Sequence, residues 1–414
     1  MVKKQEKVVE SMGMSLDWKS YYPAMDSLDN AAPYLSQAAD SLTNKEASRL
    51  LSCINYQPDT IAALSKDIER CLVANRKALV LLDSALARHT LIWHDNKAMT
   101  ATEAMAAQPF PNYPGIESLL YLCFLDAVYA GYRGDMERCA QGVKWGIGLL
   151  TLQRQDPTQV NLIILNMMEL RTPTYSLITL TKVAQDKDKL FSIIGETHDR
   201  ISQIATGLVR ENTKAELAYH AALLGEIYNE GPGGPTKSLL QAWSIVILSL
   251  YERIWWPWER YYALQCAEYA IRETAPENTF ATIDSIDKEY SKLKDSRMTT
   301  TILTSMTVAN LKVAEFQKNE LMYRVMLDAA LLYAASLDYR RKHGAYPENL
   351  QQLIPEYFPE LPKSPIDHKD YIYKARGDFM EVYALGPEGK HIPSTTVMGA
   401  EPQTQKNEIK KHSP

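Results

Sequence analysis

Glycine is scarce in this chain, 18 of 414 residues, about 4% against a usual value near 7%. That shortage, beside abundant Ala, Leu, Met and Glu, argues for helices and against a loop-rich β protein. Cysteine is also sparse. The five (Cys53, Cys71, Cys123, Cys139, Cys266) are an odd number, far apart, with no CxxC and no Cys/His pair at zinc spacing, so they read as small buried hydrophobes rather than metal ligands. A single Cys53–Cys71 disulfide stays open, and cysteine usage leaves the redox compartment undecided. A strong excess of charge of one sign is missing too. Lys+Arg 45 against Asp+Glu 50 leaves a net −5, which disfavours a phosphate-tracking surface and hence nucleic acid as a partner.

Long apolar runs are absent. The longest, Ser238 to Tyr251, has 14 residues, short of the roughly 20 that span a bilayer. Met1 to Lys7 carries charges of both signs and leads into no apolar core, so no signal peptide is legible. No P-loop, GxGxxG, GxSxG, HExxH or EF-hand loop occurs. On this reading there are no catalytic residues, no metal ligands and no cofactor.

What is present is helical periodicity. At about 150 residues per domain the length predicts two or three domains, and 46% apolar residues suffice for a large core. Apolar positions 61, 64, 68, 72, 79, 82 and 86 form one stripe with Asn75 as the polar member, which predicts a single long helix capped by Asp59. Helices are expected at 116–132 and to about 152, joined by Gly134-Asp135 as an αα-hairpin with Asp135 as cap. Asp156-Pro157 opens another through Leu170, which Pro173 breaks or kinks. Further helices are expected near 174–194, 198–209 and 212–229. After the turn cluster Gly231-Pro232-Gly233-Gly234-Pro235 they resume near 236–254, 258–273, 278–294 and 298–343. The fold class is mainly α: antiparallel helical hairpins stacked into a superhelical or toroid-like body over 1–297.

Character changes after Lys342. Tyr371 to Lys374 and Phe379 to Leu385 suit strands, with Arg376-Gly377-Asp378 as a hairpin turn. Residues 298–390 are thus expected to form a long helix plus a small α+β subdomain, and 391–414 a disordered tail.

Two local constellations have plain structural explanations. Glu196-Thr197-His198-Asp199 gathers acid, hydroxyl and base, but reads as a helix start with Thr197 as N-cap. Glu216, Tyr219, His220 and Glu226 read as a helix surface. The densest aromatic cluster comprises Trp255, Trp256, Trp258, Tyr261 and Tyr262 around Pro257. Such rings stack sugars or anchor interfaces; as structure, they fill a corner between layers, the favoured reading.

The C-terminal residues carry a resemblance. Leu337 to Gly344 leads into Ala345-Tyr346-Pro347. A short helix over Leu350 to Tyr357 follows, then Leu361-Pro362-Lys363-Ser364-Pro365, a Tyr-rich hairpin, and Leu385-Gly386-Pro387-Glu388-Gly389. This order resembles the globular end of the major pseudopilin of type II secretion, over about 70 residues. Tyr346, Pro347, Pro362, Pro365, Gly386 and Gly389 are its structural positions. The family's apolar N-terminal segment is missing, and residues 298–320 carry Lys312, Glu315, Lys318 and Glu320 instead. The stretch matching its calcium loop holds Glu388 beside Lys390, too few oxygen ligands for the ion. The whole chain also resembles bacterial cell-envelope proteins that fuse a helical body to such an end. That resemblance implies a periplasmic location, protein partners in the envelope, and an N-terminal membrane anchor preceding Met1. The function expected is therefore a non-enzymatic envelope scaffold; the alternative is a glycan-active protein with an aromatic-lined cleft on a helical toroid.

Overall fold

The computed structural model describes residues 2–21, 29–43, 45–93, 97–100, 103, 113–153, 160–205, 214–215, 218, 222, 256–295, 313–377, 379–386, 389–391 and 397–398. Within them the chain is mainly helical, with one small antiparallel sheet. The helices are α1 (Val2–Ser11), α2 (Ala32–Asp40), α3 (Ala47–Tyr56), α4 (Ile61–Ala74), α5 (Arg76–Leu86), α6 (Tyr113–Arg133) and α7 (Met136–Gln153). They continue with α8 (Val160–Val183), α9 (Lys187–Ala205), α10 (Trp256–Glu273), α11 (Phe280–Asp295) and α12 (Val313–His343). The expected helix starts at Asp156-Pro157 and near 298, the Gly231–Pro235 turn and the Ser238–Tyr251 run lie outside the described residues.

The α6–α7 pair is an antiparallel hairpin. Gly134 (φ +80°) takes the left-handed conformation that ends α6, and the Asp135 carboxylate accepts the Arg138 N–H (3.1 Å), capping α7. Glycines let the two helices close up. A Cβ on Gly142 would lie 2.9 Å from the Ala127 nitrogen and the Cys123 carbonyl, and one on Gly146 2.5 Å from the Phe124 ring.

The structure corrects several expected boundaries. The stripe over 61–86 divides at Asn75, between α4 and α5. Asn75 is buried, and its side-chain oxygen accepts the Thr43 N–H (3.0 Å) while its carbonyl accepts that of Ala78 (2.9 Å). Asp59 does not cap α4: a 3-10 turn over Pro58–Thr60 precedes the helix, whose first residue follows Thr60. Pro173 neither ends nor splits α8, which runs on to Val183. Its buried Thr and Ser side chains bond back along the helix, Thr174 to the Leu170 carbonyl (2.7 Å) and Ser176 to that of Thr172 (2.8 Å). The break expected before His198 falls instead at Ala184–Asp186, where the Asp186 carboxylate accepts the Lys189 N–H (3.3 Å). Thr197 is therefore not a cap. It sits inside α9, its hydroxyl donating to the Ile193 carbonyl (2.5 Å).

Among the described residues, helix α12 packs against both the helical body and the sheet. From Val325 to Ala335 nearly every residue is buried, as expected of a helix with neighbours all round. It packs on α8 and α9 on one side and on the sheet on the other, while its first turns meet α10 and α11. Gly344 (φ +81°) ends it. The segment read as a short helix from Leu350 is a 3-10 turn, Leu350–Leu353.

Three antiparallel strands follow in the order β1 (Ile372–Arg376), β2 (Phe379–Tyr383), β3 (Val397–Met398). Ile372 faces Tyr383, Arg376 faces Phe379, and Val382 faces Val397. Gly377 (φ +60°) supplies the positive φ that a two-residue hairpin turn demands. The third strand lies inside the stretch read as a tail. Val397 is fully buried, so this apolar pair within a polar stretch completes the sheet.

One apolar core runs from Ala31 to Val397, through both the helical body and the C-terminal sheet. The boundary drawn at 297/298 thus does not divide this core. A second cluster joins Val9, Met14 and Trp18 to Leu264, Ile271 and Tyr290 of α10 and α11. Cys71, Cys123 and Cys139 are buried free thiols, and Cys53 is an exposed one. Burial pushes the Cys139 thiol up to about 12.

Candidate functional site

The junction between α9, α12 and the approach to β1 gathers a cluster of polar side chains from three segments. His198 Nε2 on α9 lies 2.7 Å from Asp328 Oδ1 on α12. The other oxygen of Asp328 accepts the Tyr371 hydroxyl at 2.6 Å. His198 Nδ1 is 3.3 Å from Asp199. Arg324, one turn before Asp328, has its Nη1 buried with no hydrogen-bond partner, and its charge acts on Tyr371.

Burial alone would lower the His198 pKa, but the bonds and charges of Asp328 and then Asp199 outweigh it, so the imidazolium is favoured above its ordinary range. Burial pushes the Tyr371 phenol well above its usual value, and the Asp328 charge adds to this. Tyr371 is thus a hydrogen-bond donor at any ordinary pH. The cluster ties three segments together through one half-hidden carboxylate.

A second polar weld lies one turn from the end of α12. Buried Asp338 accepts from Arg341 (2.9 Å) and the Tyr357 hydroxyl (2.9 Å) and pairs with Lys342 (3.0 Å). Lys342 also bonds Glu356 (2.8 Å). Burial acts to raise the Asp338 pKa, but the Lys342, Arg341 and Tyr357 bonds prevail and lower it. Burial and the Asp338 bond push the Tyr357 phenol up to about 12. Phe191 of α9 meets the Tyr357 ring edge-on at 5.3 Å.

Beside β1 opens a groove of about 250 Å³. Leu350, Leu361, Pro362, Tyr371 and Tyr373 form its walls, and Glu348 and Asp370 are its charged lining residues. Tyr373 donates its hydroxyl to the Pro347 carbonyl (2.8 Å). Both tyrosine rings are therefore held from behind. The two-residue turn makes Arg376–Phe379 a hydrogen-bonded pair, so alternation directs the backbone groups of Tyr373 and Ala375 away from β2. Among the described residues no strand pairs with that outer edge, beyond the single antiparallel bridge of Lys363 with Asp370 just before β1.

The six C-terminal motif positions divide between two places. Tyr346 lies half-buried under the Arg340 guanidinium (4.6 Å), and Pro347 holds Tyr373. Pro362 lines the groove and Pro365 is buried beside it in sequence. Gly386 and Gly389 (φ +71°) form a separate tight loop beyond β2, where the Gly386 N–H donates to the Lys390 carbonyl (2.7 Å).

Of the aromatic cluster, Trp255 lies outside the described residues, as do the side chains of Trp256, Trp258 and Tyr262. Tyr261 is half-buried and accepts from Gln265 (3.2 Å). Pro257 sits in the first described turn of α10, where a missing N–H is tolerated. Glu216, Tyr219, His220, Glu226 and Glu388 also lie outside the described residues.

Sequence reasoning noticed His198 but attached it to a helix start, and it passed over Asp328 and Tyr371. The pairs are separated by 130 and 43 residues, so no local spacing marks them. Among the described residues no three His, Cys, Asp or Glu side chains gather to hold a metal ion, and no helix is long and apolar enough to cross a membrane. No family model, curated protein or solved structure matches the chain.

Proposed function

We propose that this chain is a protein-docking scaffold of the bacterial cell envelope, in which stacked helical hairpins carry a pseudopilin-like α+β end. The observation that carries the reading is the edge of β1, which no strand pairs among the described residues, on a sheet that shares its core with the helical body. An unpaired strand edge offers backbone donors and acceptors to a partner's extended segment. The polar welds at Asp328 and Asp338 hold that edge in one orientation, which lowers the ordering cost of docking.

The test uses the full chain as bait in native membranes, beside Ala375→Pro. Proline at an outward-facing edge position removes a docking N–H without removing a ladder bond. The wild type is expected to co-isolate an envelope protein in stoichiometric amount, and the folded variant to lose it. Isolation of the wild type alone, or equal capture by both, overturns the reading.

A further inference from the structure

We infer that the groove beside β1 receives the lysine or arginine side chain of an extended partner segment that adds to the edge of this strand. The inference rests on the docking reading and names the partner's chemistry. Both charged lining residues, Glu348 and Asp370, are acidic. Asp370 is paired with Lys363, whereas the Glu348 carboxylate has no ion-pair partner among the described residues. The groove therefore keeps an uncompensated negative charge at its rim.

Its walls suit the rest of such a side chain. Leu350, Leu361 and Pro362 offer apolar surface to an aliphatic stem, and the half-buried Tyr373 ring, beside the buried Tyr371 ring, offers aromatic surface to its cationic end. Those rings need no ordering on binding, because Asp328 and the Pro347 carbonyl already hold their hydroxyls. The basic residues of β1 do not oppose this. Lys374 and Arg376 alternate to the other face of the strand, and Lys374 is engaged there by Glu381 (3.7 Å) and the Tyr383 ring (5.0 Å). Backbone pairing along Tyr373 and Ala375 would set the register, and the groove would select the side chain beside it.

The test is calorimetry on the full chain with a blocked heptapeptide of alternating valine and threonine bearing one central lysine, and twins carrying norleucine or glutamate there. The lysine peptide is expected to bind at least tenfold more tightly than either twin. Glu348→Gln should erase that preference, and Ala375→Pro should abolish binding of all three while circular dichroism stays unchanged. Equal affinities, a preference for glutamate, a preference surviving in Glu348→Gln, or no binding at millimolar peptide each overturn the inference. Native capture separates the two ideas. Loss of the membrane partner in Ala375→Pro without any lysine preference refutes the groove assignment alone, whereas retention of that partner refutes the docking reading itself.

Discussion

His198 and Asp328 meet across α9 and α12 at 2.7 Å, and this contact is expected to make the protein's stability depend on pH above the ordinary imidazole value. The folded state raises the His198 pKa above its ordinary 6.5, so it binds the imidazole proton more tightly than the unfolded chain. The contribution is fully present below pH 6.5 and is lost as pH rises through the raised folded value. The groups touching the pair are Asp199 on α9 and Tyr371 before β1, and the Tyr371 phenol in turn feels the charges of Arg324 on α12 and Asp367. Thermal melts across this window should show the midpoint falling with rising pH, and His198→Gln should remove that slope. An identical slope in the variant would discard the assignment.

Tyr371→Phe keeps the ring that packs at the junction and deletes only the hydroxyl bonded to Asp328 at 2.6 Å. A bond to a charged acceptor contributes about 1.5–3 kcal/mol, and its loss leaves a part-buried carboxylate oxygen without its donor. Urea unfolding should register a loss of that size with the slope unchanged.

Asp126 and Arg138 clamp the α6–α7 hairpin. The carboxylate side chain is 2% exposed and accepts the guanidinium at 2.7 and 2.9 Å. Burial raises the Asp126 pKa despite the opposing Arg138 bond and charge, so the pair is costly to break on one side only. Arg138→Met should destabilise by about 2–3 kcal/mol. This is below the roughly 3–5 kcal/mol of a fully buried pair, because Arg138 is 53% exposed and water screens it. The double variant Asp126→Leu/Arg138→Met should recover much of the loss, a coupling that a double-mutant cycle measures.

Glycine-to-alanine substitutions in two helices should have opposite signs. At Gly142 the new methyl would press on the backbone of Cys123 and Ala127 at 2.9 Å, which cannot yield without separating α6 from α7. A loss of about 1–3 kcal/mol is expected. Gly195 lies inside α9 with nothing within 4 Å of its Cβ position, so Gly195→Ala should stabilise by about 0.4–1 kcal/mol through the unfolded chain's lost freedom. Melting temperatures of the two variants, moving in opposite directions, check this.

The helical content was legible because apolar spacing near 3.6 survives in a single sequence, and the β1–β2 hairpin because Gly377 sits between two strand-forming runs. Interruptions were less legible. Asn75 ends α4 in partnership with Thr43, 32 residues earlier, and a periodic stripe does not register a partner at that distance. Pro173 carries a local rule that predicts a break, but the buried hydroxyls of Thr174 and Ser176 and the packing of α8 among α3, α6 and α12 keep the helix continuous. Val397 and Met398 are too few to make a strand signal, and pairing with β2 together with packing on α12 places them. The junction was invisible for the same reason: His198, Asp328 and Tyr371 lie on three separate segments, and tertiary packing alone unites them.

Asp338 is expected to contribute to the acid limb of stability. Its folded pKa lies below the ordinary 3.8, because the bonds from Lys342, Arg341 and Tyr357 together exceed the opposing effect of burial. A depressed carboxylate contributes stability that is present above pH 3.8 and lost as pH falls through the lower folded value. Asp338→Asn keeps the side chain's shape and removes the titration. It should lower stability at neutral pH by about 1–3 kcal/mol, the range for a hydrogen-bonded buried charge, and flatten the decline on acidification. Tyr357→Phe removes one of the three donors and should shift the acid midpoint less than Asp338→Asn does. Acid titrations followed by tyrosine fluorescence and circular dichroism would rank the three proteins, and an unchanged acid midpoint in Asp338→Asn would assign the acid limb to other carboxylates.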